Sequence, residues 1–277
     1  MNPVNTALWF IEANFKREIS LDEIAAVAGV SRYYMSRAFG AVMGTSSARY
    51  MRGRRLSEAA ALLANGAPDI LSVALDSGYN SHEAFTRAFR EQFGVTPESV
   101  REQGHVANIQ LVEPITMDQT LLTTLTPPRF ENGPALLIAG LGERYTCETS
   151  SRIPAQWQRF VPHLGHIPGQ VGQIAYGVRH NSDEAGNFDY TCGVQVADFS
   201  AVPADWSRIR IPARRYAVFT HGGHVSDIRR TWATIWGRWL PESGHQLADA
   251  PDFERYSEDF DSRTGVGGIE IWLPLQT

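Results

Sequence analysis

Apolar residues in the first hundred positions recur with a helical period. Leu21, Ile24, Ala25 and Ala28 share one face; Met35, Ala38, Phe39 and Val42 share another; Tyr50, Leu56, Ala59, Ala60 and Leu63 form a third. The punctuation agrees. Ser20-Leu21-Asp22-Glu23 reads as a capping box, in which Ser20 accepts from the third-residue amide and Glu23 reaches back. Gly29 closes that helix and Ser31 caps the next, over Arg32–Met43. A long helix over residues 46–63 follows. A second set runs from Asp69 to Phe93, with a turn at Ser77-Gly78-Tyr79-Asn80 and a helix starting at Ser81. Thr96-Pro97 then opens a last short helix, with Pro97 at the first helical position.

After Pro127-Pro128 the pattern changes. Residues 135–141 read as an apolar strand, and residues 153–164 as a helix with Trp157, Phe160 and Val161 on one face. Strands follow near 173–178 and 190–196. The order then recurs: a strand over 215–219, a helix over 225–240 carrying Ile228, Trp232, Ile235, Trp236 and Trp239, and strands near 253–256 and 268–273. This is β-α-β-β twice, an α+β arrangement in which helices cover one side of an antiparallel sheet. The predicted chain is therefore an all-α domain (1–105), a connector (106–128) and an α+β domain with a pseudo-two-fold β-α-β-β repeat (129–277).

The helical half also contains a repeat. Ser36-Arg37-Ala38-Phe39 returns fifty residues later as Thr86-Arg87-Ala88-Phe89, and Met43-Gly44 returns as Phe93-Gly94. Each copy is a helix, a Gly-containing turn and a second helix with an outward Arg. This predicts tandem helix-turn-helix units, a DNA-reading arrangement.

Charge changes this picture only locally. The net charge is −5. Residues 1–110 hold eleven basic and eleven acidic side chains, and residues 111–277 hold fourteen and nineteen, so the deficit lies in the second half. Arg49, Arg52, Arg54 and Arg55 cluster in the neutral half, a patch suited to phosphates. Cys147 and Cys192 form neither a disulfide framework nor a metal-ligand spacing. His163-x-x-His166 and His221-x-x-His224 lack a third ligand, so no metal or cofactor is expected. There is no apolar run of membrane-spanning length and no basic, then apolar, leader, so the expected location is the cytoplasm.

The segment from Gly29 to Phe39, the Arg-rich linker helix, and Gly78-Tyr79 through Phe93-Gly94-Val95-Thr96-Pro97 resemble the DNA-binding domain of AraC/XylS-type transcription regulators. The resemblance implies two helices laid in successive major-groove segments of double-stranded promoter DNA, with RNA polymerase as a possible further partner. It implies base contacts from Arg32, Tyr33, Ser36 and Arg37 on the first reading helix. His82, Thr86 and Arg87 are the candidates on the second, with Arg49, Arg52 and Arg54 for phosphates. Glu83 departs from this chemistry, since a carboxylate near a phosphate is unfavourable.

In the second half, residues 215–223, 239–244, 253–256 and 269–274, with Tyr176-Gly177-Val178 and Tyr190–Val194, look like a GyrI-like effector-binding domain. That resemblance implies a groove for a bulky, often aromatic and cationic small-molecule effector, with an acid in the groove. Two glutamates compete for the role. Period-two alternation places Glu270 and Trp272 on one strand face, opposite Ile269, Ile271 and Leu273. Glu254 shares its face with Tyr256. A carboxylate among aromatic rings suits a delocalised cation; Trp157, Tyr176, Trp232 and Trp236 are the other candidate lining residues. The expected activity is ligand-responsive regulation rather than catalysis. The alternative is a ligand-sequestering or hydrolytic pocket that a DNA arm merely localises, with a buried Glu as general base.

Overall fold

The computed structural model describes residues 2–67, 69–183 and 185–276. By backbone contact the chain divides into two compact units: Pro3–Met35 with Ser46–Met117, and Ser36–Thr45 with the chain from Asp118 onward.

The helices of the N-terminal region are α1 (Pro3–Asn14), α2 (Leu21–Val27), α3 (Arg32–Met43), α4 (Ser47–Ala64), α5 (Ile70–Asp76), α6 (His82–Phe93) and α7 (Pro97–Gln103). Local chemistry sets their ends. The Ser20/Glu23 capping box is formed, and Asp69, Ser81 and Thr96 each accept from a first-turn amide. Gly29 and Gly78 adopt positive φ (69° and 84°) where each helix-turn-helix turn reverses the chain. Behind α6, Phe85 and Phe89 are fully buried with Leu56, Leu63, Val73 and Val100. Val112 follows α4 closely: its amide donates to Ser57 Oγ at 2.8 Å, and a Cβ on Gly53 would stand 2.9 Å from its side chain.

The second unit is built on one antiparallel sheet of β1 (Arg129–Gly133), β2 (Leu136–Tyr145), β3 (Gln170–His180), β4 (Phe188–Val196), β5 (Ser207–Ile211), β6 (Arg214–His221), β7 (Asp252–Tyr256) and β8 (Ile269–Leu275). The strand order is β1-β6-β8-β7-β3-β4-β2-β5. Helix α8 (Ile153–Phe160) follows β2, and α9 (Ile228–Thr234) follows β6. A five-residue π-helical segment, Ile235–Trp239, then leads into α10 (Leu240–Ser243). The expected single helices over 153–164 and 225–240 are thus each broken. The first tightens to a 3₁₀ turn at Val161–His163, where Pro162 removes a helical donor and Val161 turns outward, 42% exposed.

The two sheet faces bury different residues. One holds Tyr176, Tyr216, Phe253 and Trp272 with Ile138, Val178 and Val218. The other meets the helices: Phe160 with Cys192 and Val194, and Tyr256 and Ile269 with Trp157 and Ile228. No helix among the described residues is long and apolar enough to cross a membrane.

Candidate DNA-reading helices and effector site

Helix α6 presents His82, Glu83, Thr86, Arg87 and Arg90 along one side, three and four residues apart, while Phe85 and Phe89 point into the core. Arg87 is exposed and makes no ion pair among the described residues. His82 Nε2 lies 2.9 Å from Glu98. The Glu83 carboxyl is held below the ordinary carboxylate value by the amide at its own position and by the Ser81 hydroxyl. It lies in the first turn of α6, next to the Ser81 cap, where the positive end of the helix favours an acid.

On α3, Arg32 and Tyr33 are half-buried, and Arg32 pairs with Asp22 at 3.2 Å. Arg37 does not stand on the open face expected of it. It is 2% exposed, its guanidinium pairs with Asp252, and it lies 5.5 Å from the Trp236 ring centroid. Ser36 Oγ lies 3.4 Å from the Asp183 carbonyl.

The arginine patch also divides. Arg49 is exposed, and Arg52 is 3.5 Å from Glu91 with 41% of its side chain exposed. Arg54 is committed inward: it donates to both Glu12 oxygens (3.0 and 3.3 Å) and to the Val112 carbonyl (2.9 Å), with 12% of its side chain exposed. Tyr50 donates to the same Glu12 at 2.6 Å. Burial raises the Glu12 carboxyl, but the hydrogen bonds from Arg54 and Tyr50 and the Arg54 charge hold it below its ordinary value.

In the second unit the two candidate acids lie on opposite sheet faces. Glu254 is opposite Gly177 on β3 and Ile271 on β8, and so faces the helices. It is 8% exposed. Its partners among the described residues are three neutral donors: Trp232 Nε1 at 2.9 Å, Tyr190 Oη at 2.7 Å and Tyr256 Oη at 3.0 Å. Trp157 Nε1 donates to Tyr190 Oη at 3.2 Å, and its ring meets Tyr256 edge-on at 4.9 Å. Burial pushes the Glu254 carboxyl above the ordinary carboxylate value, against the three hydrogen bonds that lower it. Burial and the neighbouring Glu254 raise both tyrosines well above theirs.

Glu270 lies beside Arg255 and Thr220 on the other face. Its charge is matched in place by Arg129 (2.6 Å) and Arg255 (3.1 Å), and the Trp272 indole donates to it (3.0 Å). Burial raises its carboxyl, but the bonds from Trp272 and Arg129 and the Arg129 charge bring it below its ordinary value. Tyr176 and Trp272 belong to this face, and Trp236 is 1% exposed. The structure thus gathers Glu254, Tyr256, Trp157 and Trp232, and separates from them Glu270, Trp272 and Tyr176.

Comparison with known proteins agrees with both units. A helix-turn-helix domain family matches residues 24–103, and the GyrI-like small molecule binding domain family matches residues 126–276. The chain belongs to the AraC-type regulators with a C-terminal GyrI-like domain. It is 26% identical to the transcriptional regulator Rob of Salmonella typhimurium over 97% of this chain and 94% of that protein. It is 25% identical to the right origin-binding protein of Escherichia coli K12 (99% and 98%), and 32% identical to that organism's putative HTH-type transcriptional regulator YkgA (73% and 86%). This AraC-type protein is a DNA-binding transcription regulator.

Two members of the acid cluster were not among the sequence candidates. Tyr190 comes from β4 and supplies a hydroxyl to Glu254. Gly177 leaves the room for it: a Cβ there would overlap the Tyr190 hydroxyl and stand 2.8 Å from Glu254 Oε2. A signal was present, because Tyr190 and Cys192 alternate on the strand face that meets the helices. Its value shows only when β3 is placed between β4 and β7.

Proposed function

We propose that this regulator senses a bulky aromatic cation at Glu254. The observation that carries the reading is a buried carboxylate whose partners are all uncharged donors, set among Trp157, Tyr190, Trp232 and Tyr256. Such an acid has its negative charge uncompensated, whereas the charge of Glu270 is already matched by two arginines. A delocalised cation supplies the missing charge and stacks on the rings. Both Glu254 oxygens already accept hydrogen bonds, so cations without N–H donors fit better than primary ammonium groups of equal size. The two β-α-β-β segments are read as pseudo-symmetric halves, each contributing one indole to the cluster around Glu254: Trp232 donates to the acid itself and Trp157 to its partner Tyr190.

On the DNA side, Arg32 and Tyr33 of α3 and Thr86 and Arg87 of α6 are assigned to base edges, with Ser36 and His82 flanking them. Arg49 and Arg52 are assigned to phosphates. Arg37 and Arg54 are assigned to their internal ion pairs with Asp252 and Glu12. RNA polymerase is proposed as a further partner of the DNA-bound protein.

The test measures affinity for DNA selected from a random library, with and without saturating tetraphenylphosphonium. The cation is expected to change the affinity of the wild type and to leave that of Glu254→Gln unchanged. An affinity indifferent to the cation in both proteins contradicts ligand-responsive regulation.

A further inference from the structure

Gln156 and Thr231 share a position. Each directly precedes the indole that its helix sends to the Glu254 cluster, Trp157 on α8 and Trp232 on α9. Each is a buried polar residue (0% and 5% exposed), and each bonds to the strand that leads into its own helix. Gln156 uses every polar group it has. Its Nε2 donates to the Leu141 carbonyl on β2 (2.8 Å) and the Tyr190 carbonyl on β4 (3.0 Å), and its Oε1 (3.0 Å) shares the single proton of the Tyr145 hydroxyl with Glu143 (2.8 Å). Thr231 Oγ1 lies 2.8 Å from Nδ1 of His221 on β6. The other ring nitrogen, Nε2, lies 2.9 Å from the His224 carbonyl, which only accepts. In the neutral ring Nε2 therefore carries the proton, and Nδ1 accepts from Thr231.

We propose that Gln156 and the Thr231–His221 pair are positioning residues that set the directions of Trp157 and Trp232 at Glu254. This rests on the reading of Glu254 as the ligand-binding acid. The physical need is plain. Helices α8 and α9 have eight and seven residues and pass directly into 3₁₀ or π segments, so neither fixes its own register. Apolar contact with a sheet is non-directional and tolerates rotation about the helix axis. A buried hydrogen bond does not tolerate it, because its loss leaves unpaired polar groups. Successive residues differ by about 100° around a helix, so fixing one residue fixes the direction in which the next leaves the axis.

The experiment uses the full chain and indole N–H resonances assigned by single Trp→Phe variants. Thr231→Val, which keeps the shape and loses the hydroxyl, is expected to shift the Trp232 indole signal and leave that of Trp157 in place. It weakens tetraphenylphosphonium binding about tenfold. Thr231→Ser restores both properties. Gln156→Leu is expected to shift Trp157 and spare Trp232. If that variant fails to fold, Tyr145→Phe removes a Gln156 partner without altering α8. Thr231→Val behaving like Thr231→Ser, or all indole signals moving together in either variant, overturns the proposal. The spectra need no ligand. A wild type that ignores tetraphenylphosphonium therefore removes the ligand reading while the spectra still decide the positioning claim.

Discussion

Glu254 is a buried carboxyl whose hydrogen-bond partners among the described residues are all neutral. Burial holds the Glu254 proton more tightly in the folded chain than in an unfolded one. The folded chain therefore binds more protons between the ordinary glutamate value and the raised one, and stability falls as pH rises through that window. Glu254→Gln lacks this loss, so its Tm at neutral pH is expected to exceed that of the wild type. A lower Tm for the variant would mean that the hydrogen bonds outweigh the burial cost. Ligand affinity runs the other way. Protonation removes the charge that a cation seeks, so cation affinity is expected to fall as pH drops below the raised value, by up to about tenfold per pH unit. Calorimetry in buffers of different ionisation heat checks this through proton release on binding.

The arginines separate by the same logic. Arg87→Ala is expected to cost about 1–3 kcal/mol of specific DNA affinity, the range for loss of a bidentate base contact. Arg54→Ala should instead destabilise the fold by about 1.5–3 kcal/mol, because Glu12 loses its charged partner. Denaturant midpoints and salt-dependent DNA titrations, measured on both variants, distinguish the two roles.

At the scale of elements, the acid site depends on what β3 omits. A side chain at Gly177 would occupy the space of the Tyr190 hydroxyl. Gly177→Ala is therefore expected to weaken cation binding by at least tenfold while leaving DNA affinity unchanged. Unchanged cation binding would show that Tyr190 is not needed.

Much of the element plan was legible in the sequence. The capping box, Gly29, Gly78 and the Thr96-Pro97 start are local signals, and local geometry realises each of them. The edge strands β1 and β5 were not legible, having five residues each and no long alternating run. The break at Ile235 was also hidden, since an apolar period does not distinguish α from π turns, whereas Pro162 in the sequence marks the break at Val161. The contest between Glu254 and Glu270 shows the limit most clearly. Period-two alternation separated the two faces of β8 correctly, with Ile269 on the helix side. It could not show that the aromatic acid cluster shares the helix side, nor that Arg129 and Arg255 already neutralise Glu270. That information is held in the pairing of β7 with β3 and β8, which joins residues far apart in the chain. The burial of Arg37 and Arg54 was likewise invisible, because their acidic partners are remote in sequence.

For the whole molecule, the proposed coupling between cation binding and DNA binding is bound by reciprocity. If a cation changes DNA affinity by some factor, DNA must change cation affinity by the same factor. Cation affinity measured with and without saturating DNA is expected to reproduce the factor found for DNA affinity with and without cation. A ligand that binds both functional states equally tightly shifts neither.

The most direct test of the central claim is calorimetric titration of the full chain with tetraphenylphosphonium and with neutral triphenylphosphine oxide, for the wild type, Glu254→Gln and Glu270→Gln. The account predicts saturable binding that prefers the cation, is lost in Glu254→Gln and is retained in Glu270→Gln. Equal binding of the cation and the neutral compound, or cation binding that survives Glu254→Gln, would contradict it.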